Sequence, residues 1–270
     1  MPHQLAVIGA GVMAEAIVRG VLSGAKIPAD QIIAADISPE RRKFFQSVLG
    51  VAAVESPAAA VAGARTVLLA VKPFQMETVL KSIAGAIDDK SLVISIAAGI
   101  GTGFIEKTLG GEKPRRVIRA MPNTPMLVGQ GMVALARGQN ADAADLNTAR
   151  QLFESAAKVI EVSGDKMDAV TAVSGSGPAY FFYLTEQLIR AGVELGLTDP
   201  EARTLAIQTA RGAAEMMSRS SDAPAEHRRK VTTPNGTTHA AISLMEAKQW
   251  DRITVDALKA AAQRSRELGK

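Results

Sequence analysis

Leu5-Ala-Val-Ile-Gly-Ala-Gly-Val-Met-Ala14 decides how the rest of the chain reads. Leu5-Ala6-Val7-Ile8, apolar throughout and half β-branched, predicts a buried parallel strand. Gly9 and Gly11 then turn the chain, and the alanine-rich run from Val12 to Leu22 predicts a helix. A dinucleotide calls for this arrangement. Gly9 permits a tight strand-to-helix turn, and Gly11 has no Cβ to hold a pyrophosphate away from backbone N–H groups. Ala14 is small enough for the helix to pack close to the strand, standing where many such turns carry a third glycine. The helix N-terminus adds partial positive charge for phosphates.

The residues beyond this turn agree with that start. Gln31 to Asp36 reads as a second strand ending on a carboxylate, the place where such folds accept from the adenosine ribose hydroxyls, which favours NAD. Arg41 and Arg42 come immediately after, and a nearby arginine is how a 2′-phosphate is accommodated, which favours NADP. The sequence leaves both open. Thr66–Val71, Leu92–Ala98 and Arg116–Met121 predict further strands, separated by helical stretches at 39–49, 75–86 and 103–109. Lys72-Pro73 closes one strand, with the proline biasing Lys72 to extended backbone on the edge where ligands bind. The pattern predicts a doubly wound α/β domain over 1–163. From Gly164 the β-branched runs vanish, and 179–195, 200–218, 237–247 and 252–268 carry helical spacing, predicting an all-α second domain over 164–270. Alanine-, leucine- and methionine-rich helices with little else to cover them predict packing on a partner subunit.

Bulk properties narrow the classes. The 270 residues are 47% hydrophobic and carry a net charge of +4, with the cations dispersed and only 4% aromatics. That composition argues against nucleic-acid binding, which needs clustered charge and stacking platforms. Arg228-Arg229-Lys230 reads as a solvated helix face. The chain has no cysteine, so disulfides, thiolate chemistry and cysteine-bound zinc are excluded, and its three histidines are too scattered for a metal site. No secretory signal or bilayer-length apolar run is visible, so a soluble cytoplasmic protein without membrane partners is expected.

Three further stretches stand out: Met121-Pro122-Asn123-Thr124-Pro125, Ser174-Gly175-Ser176-Gly177-Pro178-Ala179-Tyr180, and Val231-Thr232-Thr233-Pro234-Asn235-Gly236-Thr237-Thr238. The second reads as a small-residue turn whose N–H groups would suit a carboxylate or phosphate. The third opens a helix, where threonine hydroxyls capping the first turn are the plainer reading. Together with Ile8–Ala14, Ala70-Val71-Lys72-Pro73 and Ser95-Ile96-Ala97-Ala98-Gly99, these stretches make the chain resemble pyrroline-5-carboxylate reductases over nearly its whole length.

That resemblance implies a Rossmann-type domain followed by an all-α dimerisation domain, and NAD(P)H-dependent reduction of 1-pyrroline-5-carboxylate to L-proline. It implies NADPH as cofactor, with NADH the alternative, and a homodimer that can assemble into a decamer. The dinucleotide would contact Ile8, Gly9, Ala10, Gly11, Val12, Met13, Ala14 and Asp36. Its nicotinamide end would lie near Ala70, Val71, Lys72, Pro73, Ala97, Ala98, Met121, Pro122 and Asn123. The substrate would meet Ser174, Gly175, Ser176, Gly177, Thr233, Gly236, Thr237 and Thr238, with Thr238 reaching the ring nitrogen. Two departures stand out. The family's Ser-Pro-Gly-Gly-Thr-Thr is here Thr233-Pro234-Asn235-Gly236-Thr237-Thr238, and Asn235 is a residue that tolerates positive φ. Upstream, Ala223-Pro224-Ala225-Glu226-His227 replaces a His-Pro-Leu approach. A hydroxyacid-dehydrogenase relative would use a lysine acid on a second-domain helix, and no lysine occurs between Lys166 and Lys230. His239 is expected at a surface or interface. A nucleotide sensor without catalysis would have no need of the hydroxyl-rich block.

Overall fold

The computed structural model describes residues 3–111 and 114–269; the outer ends of the two predicted domains, residues 1 and 270, lie outside them. Eight strands form one sheet: β1 (Leu5–Ile8), β2 (Ile32–Ala35), β3 (Ala52–Val54), β4 (Thr66–Leu69), β5 (Leu92–Ser95), β6 (Arg116–Met121), β7 (Gly131–Arg137) and β8 (Ala157–Glu161). Their order is β3-β2-β1-β4-β5-β6-β7-β8, so the winding reverses between β1 and β4. The first six are parallel.

The central strands read as unbroken apolar runs because both of their faces are buried. Leu5 and Val7 join one core and Ala6 and Ile8 the other. Helices Val12–Ser23 and Ala143–Phe153 close the first face through Ile17, Val21, Leu152 and Phe153, while Met76–Ile83 and Thr102–Leu109 close the second through Leu80 and Ile105.

The last two strands lie beyond those the sequence predicts, and both run opposite to the first six. β7 runs antiparallel to β6, and β8 pairs in parallel with β7. The Pro122–Gln130 link is too short to carry a crossover helix, so the chain can only double back. It does so through Gly129, at φ 71° and ψ 16°.

Backbone contacts group the residues through Ser176, with those from Ala260 onward, into one compact unit and Gly177–Lys259 into a second. The first unit extends past the texture change at Gly164 because Met167 packs with Met121, Ala134 and Ala136. The second unit is all helical, as predicted, with Gly177–Glu194, Asp199–Arg219, Pro224–Lys230, Thr237–Ala247 and the start of Trp250–Leu268. The basic run at 228–230 ends a short helix and is paired in solvent with Glu246, Glu226 and Asp222. Among the described residues of this unit, the only buried hydrophobic side chains are Ala202 and Ala206, whereas Phe181, Phe182, Leu244 and Ile253 are each more than 60% exposed.

Candidate active site

Gly9, Asp36, Ala70, Ile96 and Pro122 each follow the carboxyl end of a parallel strand, so they share the sheet edge where open α/β folds bind ligands. At the β1/β4 reversal two backbones come unusually close. Gly9 has φ +96°, and a Cβ there would lie 2.8 Å from the Ala70 carbonyl oxygen. Gly11 is different. Its backbone is extended, and a Cβ built on it meets no protein atom within 4 Å. Among the described residues nothing requires glycine at 11, and no side chain caps the helix that it precedes. Bare N–H groups, open space and a missing Cβ fit a dinucleotide pyrophosphate. Ala14 is 1% exposed and packs the helix onto the sheet, and Val12, 58% exposed, offers an apolar surface at the turn.

The charged residues beside the turn brace it. Asp36 accepts from Ala10 N–H at 2.6 Å through one carboxylate oxygen and from Ser38 N–H at 2.8 Å through the other. Arg41 donates to Ala10 O at 2.5 Å, pairs with Glu15 at 3.0 Å and lies 4.7 Å over the Phe44 ring. Arg42 donates to the carbonyls of Asp36 and Ile37. Glu15 responds to this setting: burial raises its pKa, and the two arginines outweigh that and hold it below the usual carboxylate range. The three groups that the sequence set against one another thus act together in shaping the loop.

Lys72 is exposed, with the extended backbone (φ −66°, ψ 149°) that its proline imposes. Asn123 is buried: its Oδ1 accepts from Met132 N–H at 2.9 Å and its Nδ2 donates to Ser174 O at 3.0 Å. A Cβ on Gly175 would lie 3.3 Å from Met121 Sδ. The blocks at 121–123 and 174–175, some fifty residues apart in sequence, therefore meet.

The second motif is not the open turn that its small residues predict. Met167–Val170 continues into a π-helical turn, Thr171–Gly175, closed by Ser176 N–H on Thr171 O at 2.8 Å. That N–H is spent on the helix and does not await an anion. Glycine costs a helix about 1 kcal/mol and serine less, and the helices on either side outweigh them. The extra residue of a π turn is a frequent mark of functional sites.

The third motif corrects the capping reading. Helix Thr237–Ala247 starts at Gly236 with no side-chain cap, and its first intrahelical bond runs from Ala240 N–H to Gly236 O. Thr232 donates its hydroxyl to Arg228 O, but Thr233, Thr237 and Thr238 make no side-chain hydrogen bond among the described residues. Asn235 takes φ 61°, as its residue type allows, and a Cβ on Gly236 would lie 2.5 Å from Thr233 Oγ1. His239 is exposed. No cluster of metal-binding side chains is present among the described residues. A cavity of about 590 Å³ at the opposite, amino-terminal edge of the strands, lined by Gln4, Arg65, Thr66, Lys90 and Arg116, contains none of these residues.

A doubly wound sheet with a phosphate-ready glycine turn at its reversal point defines a dinucleotide-binding fold. Residues 4–99 match the family model described as NADP oxidoreductase coenzyme F420-dependent. Residues 164–268 match the one described as pyrroline-5-carboxylate reductase dimerisation. A pyrroline-5-carboxylate reductase of Pseudomonas aeruginosa is 44% identical over 99% of this chain and 97% of its own length. The solved reductase of Coxiella burnetii superposes with a TM-score of 0.90 at 36% identity, covering all of both chains. That of Plasmodium falciparum, with NADP bound, gives 0.89 at 27% identity over 99% of this chain and 98% of its own. The chain belongs to the pyrroline-5-carboxylate reductase family.

Proposed function

We propose that this chain reduces 1-pyrroline-5-carboxylate to L-proline with NADPH, the last step of proline biosynthesis, with 1–163 holding the cofactor and 164–270 the substrate and a partner subunit. The observation that carries this is the uncapped start of helix Thr237–Ala247, with unbonded hydroxyls at Thr233, Thr237 and Thr238, in a chain of this family. Free first-turn N–H groups bind a carboxylate, which the substrate has and a plain cyclic imine lacks.

When bound, NADPH would supply the hydride for the imine carbon. The chain's own part is placement and one proton. Gly9, Gly11 and the Asp36–Arg41 brace hold the phosphate turn, and Asn123 fixes the Met121–Asn123 segment against Ser174. The Gly236 N–H is taken by Thr233 O, so Thr237 and Thr238 hold the substrate carboxylate, and the Thr238 hydroxyl serves the ring nitrogen. No acid or base with a near-neutral pKa is required of these segments. Holding donor and acceptor in register supplies several kcal/mol by effective molarity. Absorbance at 340 nm is expected to fall rapidly with NADPH and the imine, and more slowly with NADH. Protein that binds dinucleotide but oxidises neither cofactor would refute the reading.

The second unit supports a dimer. Two buried alanines cannot hold five helical segments together, and its exposed aromatic and aliphatic side chains need a cover. A second copy provides one, consistent with the dimerisation model over 164–268. We propose a homodimer in the cytoplasm, able to build decamers. Light scattering at micromolar concentration is expected to give at least twice the chain mass, and a monomer there would overturn the assembly. No helix among the described residues is long and apolar enough to cross a membrane.

A further inference from the structure

Arg119 lies on β6, two residues before Met121, and is 6% exposed. Its Nε and Nη2 are buried and make no hydrogen bond among the described residues. Among the described residues its one ionic contact is Asp168 Oδ1, 3.7 Å from Nη2. Burial pulls the Arg119 pKa below the ordinary arginine value, and the Asp168 charge opposes that fall. A buried guanidinium with unmade bonds is a poor way to add stability. The same Asp168 oxygen accepts the Ser265 hydroxyl at 2.7 Å. Ser265, 2% exposed, is the buried residue of helix Trp250–Leu268.

That helix end rests on the cofactor edge. Gly99 has φ +78°, and a Cβ there would lie 2.7 Å from both Ser265 O and Gly269 N. Helix end and turn thus touch backbone to backbone, with glycine on both sides. Ala97 and Ala98 immediately precede this turn, and Ala98 packs with Met121 and Met167.

We propose that Arg119, Asp168 and Ser265 are positioning residues for the dinucleotide: they latch the end of the last helix onto the Gly99 turn and so fix the Ala97–Ala98 backbone. Arg119 holds the Asp168 carboxylate in place, the carboxylate holds Ser265, and Ser265 seats the helix end. The latch rests on the reading of Ala97–Ala98 as cofactor contacts given above. It concerns binding of the nicotinamide dinucleotide rather than the imine.

The test is titration calorimetry of the full-length protein with NADPH alone, alongside steady-state kinetics. Ser265→Ala keeps the ion pair and frees the helix end. Its Kd and KM for NADPH are expected to rise about fivefold, because the binding-competent turn becomes a minority population, with KM for the imine staying within twofold. Ser265→Thr, which keeps the hydroxyl, restores NADPH affinity. Gly269→Ala pries the same contact apart from the other side, near the chain end, and is expected to weaken NADPH equally even if Ser265→Ala fails to fold. NADPH affinity unchanged in Gly269→Ala, an equal rise in both KM values, or no rescue by threonine would overturn the latch. Wild-type protein that binds NADPH but turns over no imine would overturn the activity reading and leave the latch measurable.

Discussion

Gly11→Ala is expected to fold like the native chain and to lose dinucleotide affinity by about 10- to 100-fold, whereas Gly9→Ala is expected to lose both stability and binding. The two glycines sit two residues apart in one motif, yet opposite physics requires them. A Cβ at position 11 meets open space on extended backbone, so the fold does not feel it. A ligand phosphate approaching the N–H groups does, and each charge-assisted hydrogen bond it loses is worth roughly 1.5–3 kcal/mol. At position 9 the new Cβ meets the Ala70 carbonyl at 2.8 Å, and the backbone is held at φ +96°. Strain of about 1–3 kcal/mol adds to overpacking of similar size, for a total of about 2–6 kcal/mol and a fall in Tm of roughly 5–20 °C. Calorimetric melting and an NADPH titration on both variants separate the effects. If Gly11→Ala bound NADPH like the native protein, the phosphate would not lie at this turn.

The same distinction between local and distant causes sets how far the sequence can be read. The opening strand–turn–helix and the long helices are legible because each is written in consecutive residues: β-branched runs, glycine at the turn, and 3.6-residue spacing. β3 escapes a sequence reading because Ala52-Ala53-Val54 carries almost no strand preference, and β7 because Gly131–Arg137 gains its identity from pairing with β6. Asp36 is legible as a carboxylate at the end of a strand, but its bracing of the glycine turn is not. Its occupation by Ala10 and Ser38 N–H groups is set by how β1 and β2 lie side by side. Ser174–Ser176 looks like a turn by composition and is helical by context. The Asn123–Ser174 and Asp168–Ser265 bonds span 51 and 97 residues, and no local pattern announces either. Threonines 233, 237 and 238 stand out by resemblance. Only the structure shows that none of them caps its own helix.

Those unbonded hydroxyls yield the other large expected effect. Thr238→Ala is expected to lower kcat by more than about tenfold, the scale of a lost proton-transfer partner, with Tm and NADPH affinity unchanged. The stability half of this comes from geometry. Thr238 is half-buried in the first turn of an uncapped helix, and its hydroxyl makes no hydrogen bond among the described residues, so deleting it breaks nothing in the fold. Had it served as a cap, the same change would cost about 1 kcal/mol of stability and would leave the chemistry alone. Thr238→Ser keeps the oxygen and should retain most of kcat, since the methyl has no part in moving a proton. Steady-state kinetics with saturating NADPH, paired with thermal melts of all three proteins, separate the two roles. Full turnover in the alanine variant would pass the proton to solvent and leave Thr238 a carboxylate contact through its backbone alone. That outcome would still show as a raised imine KM if Gly236–Thr238 were perturbed.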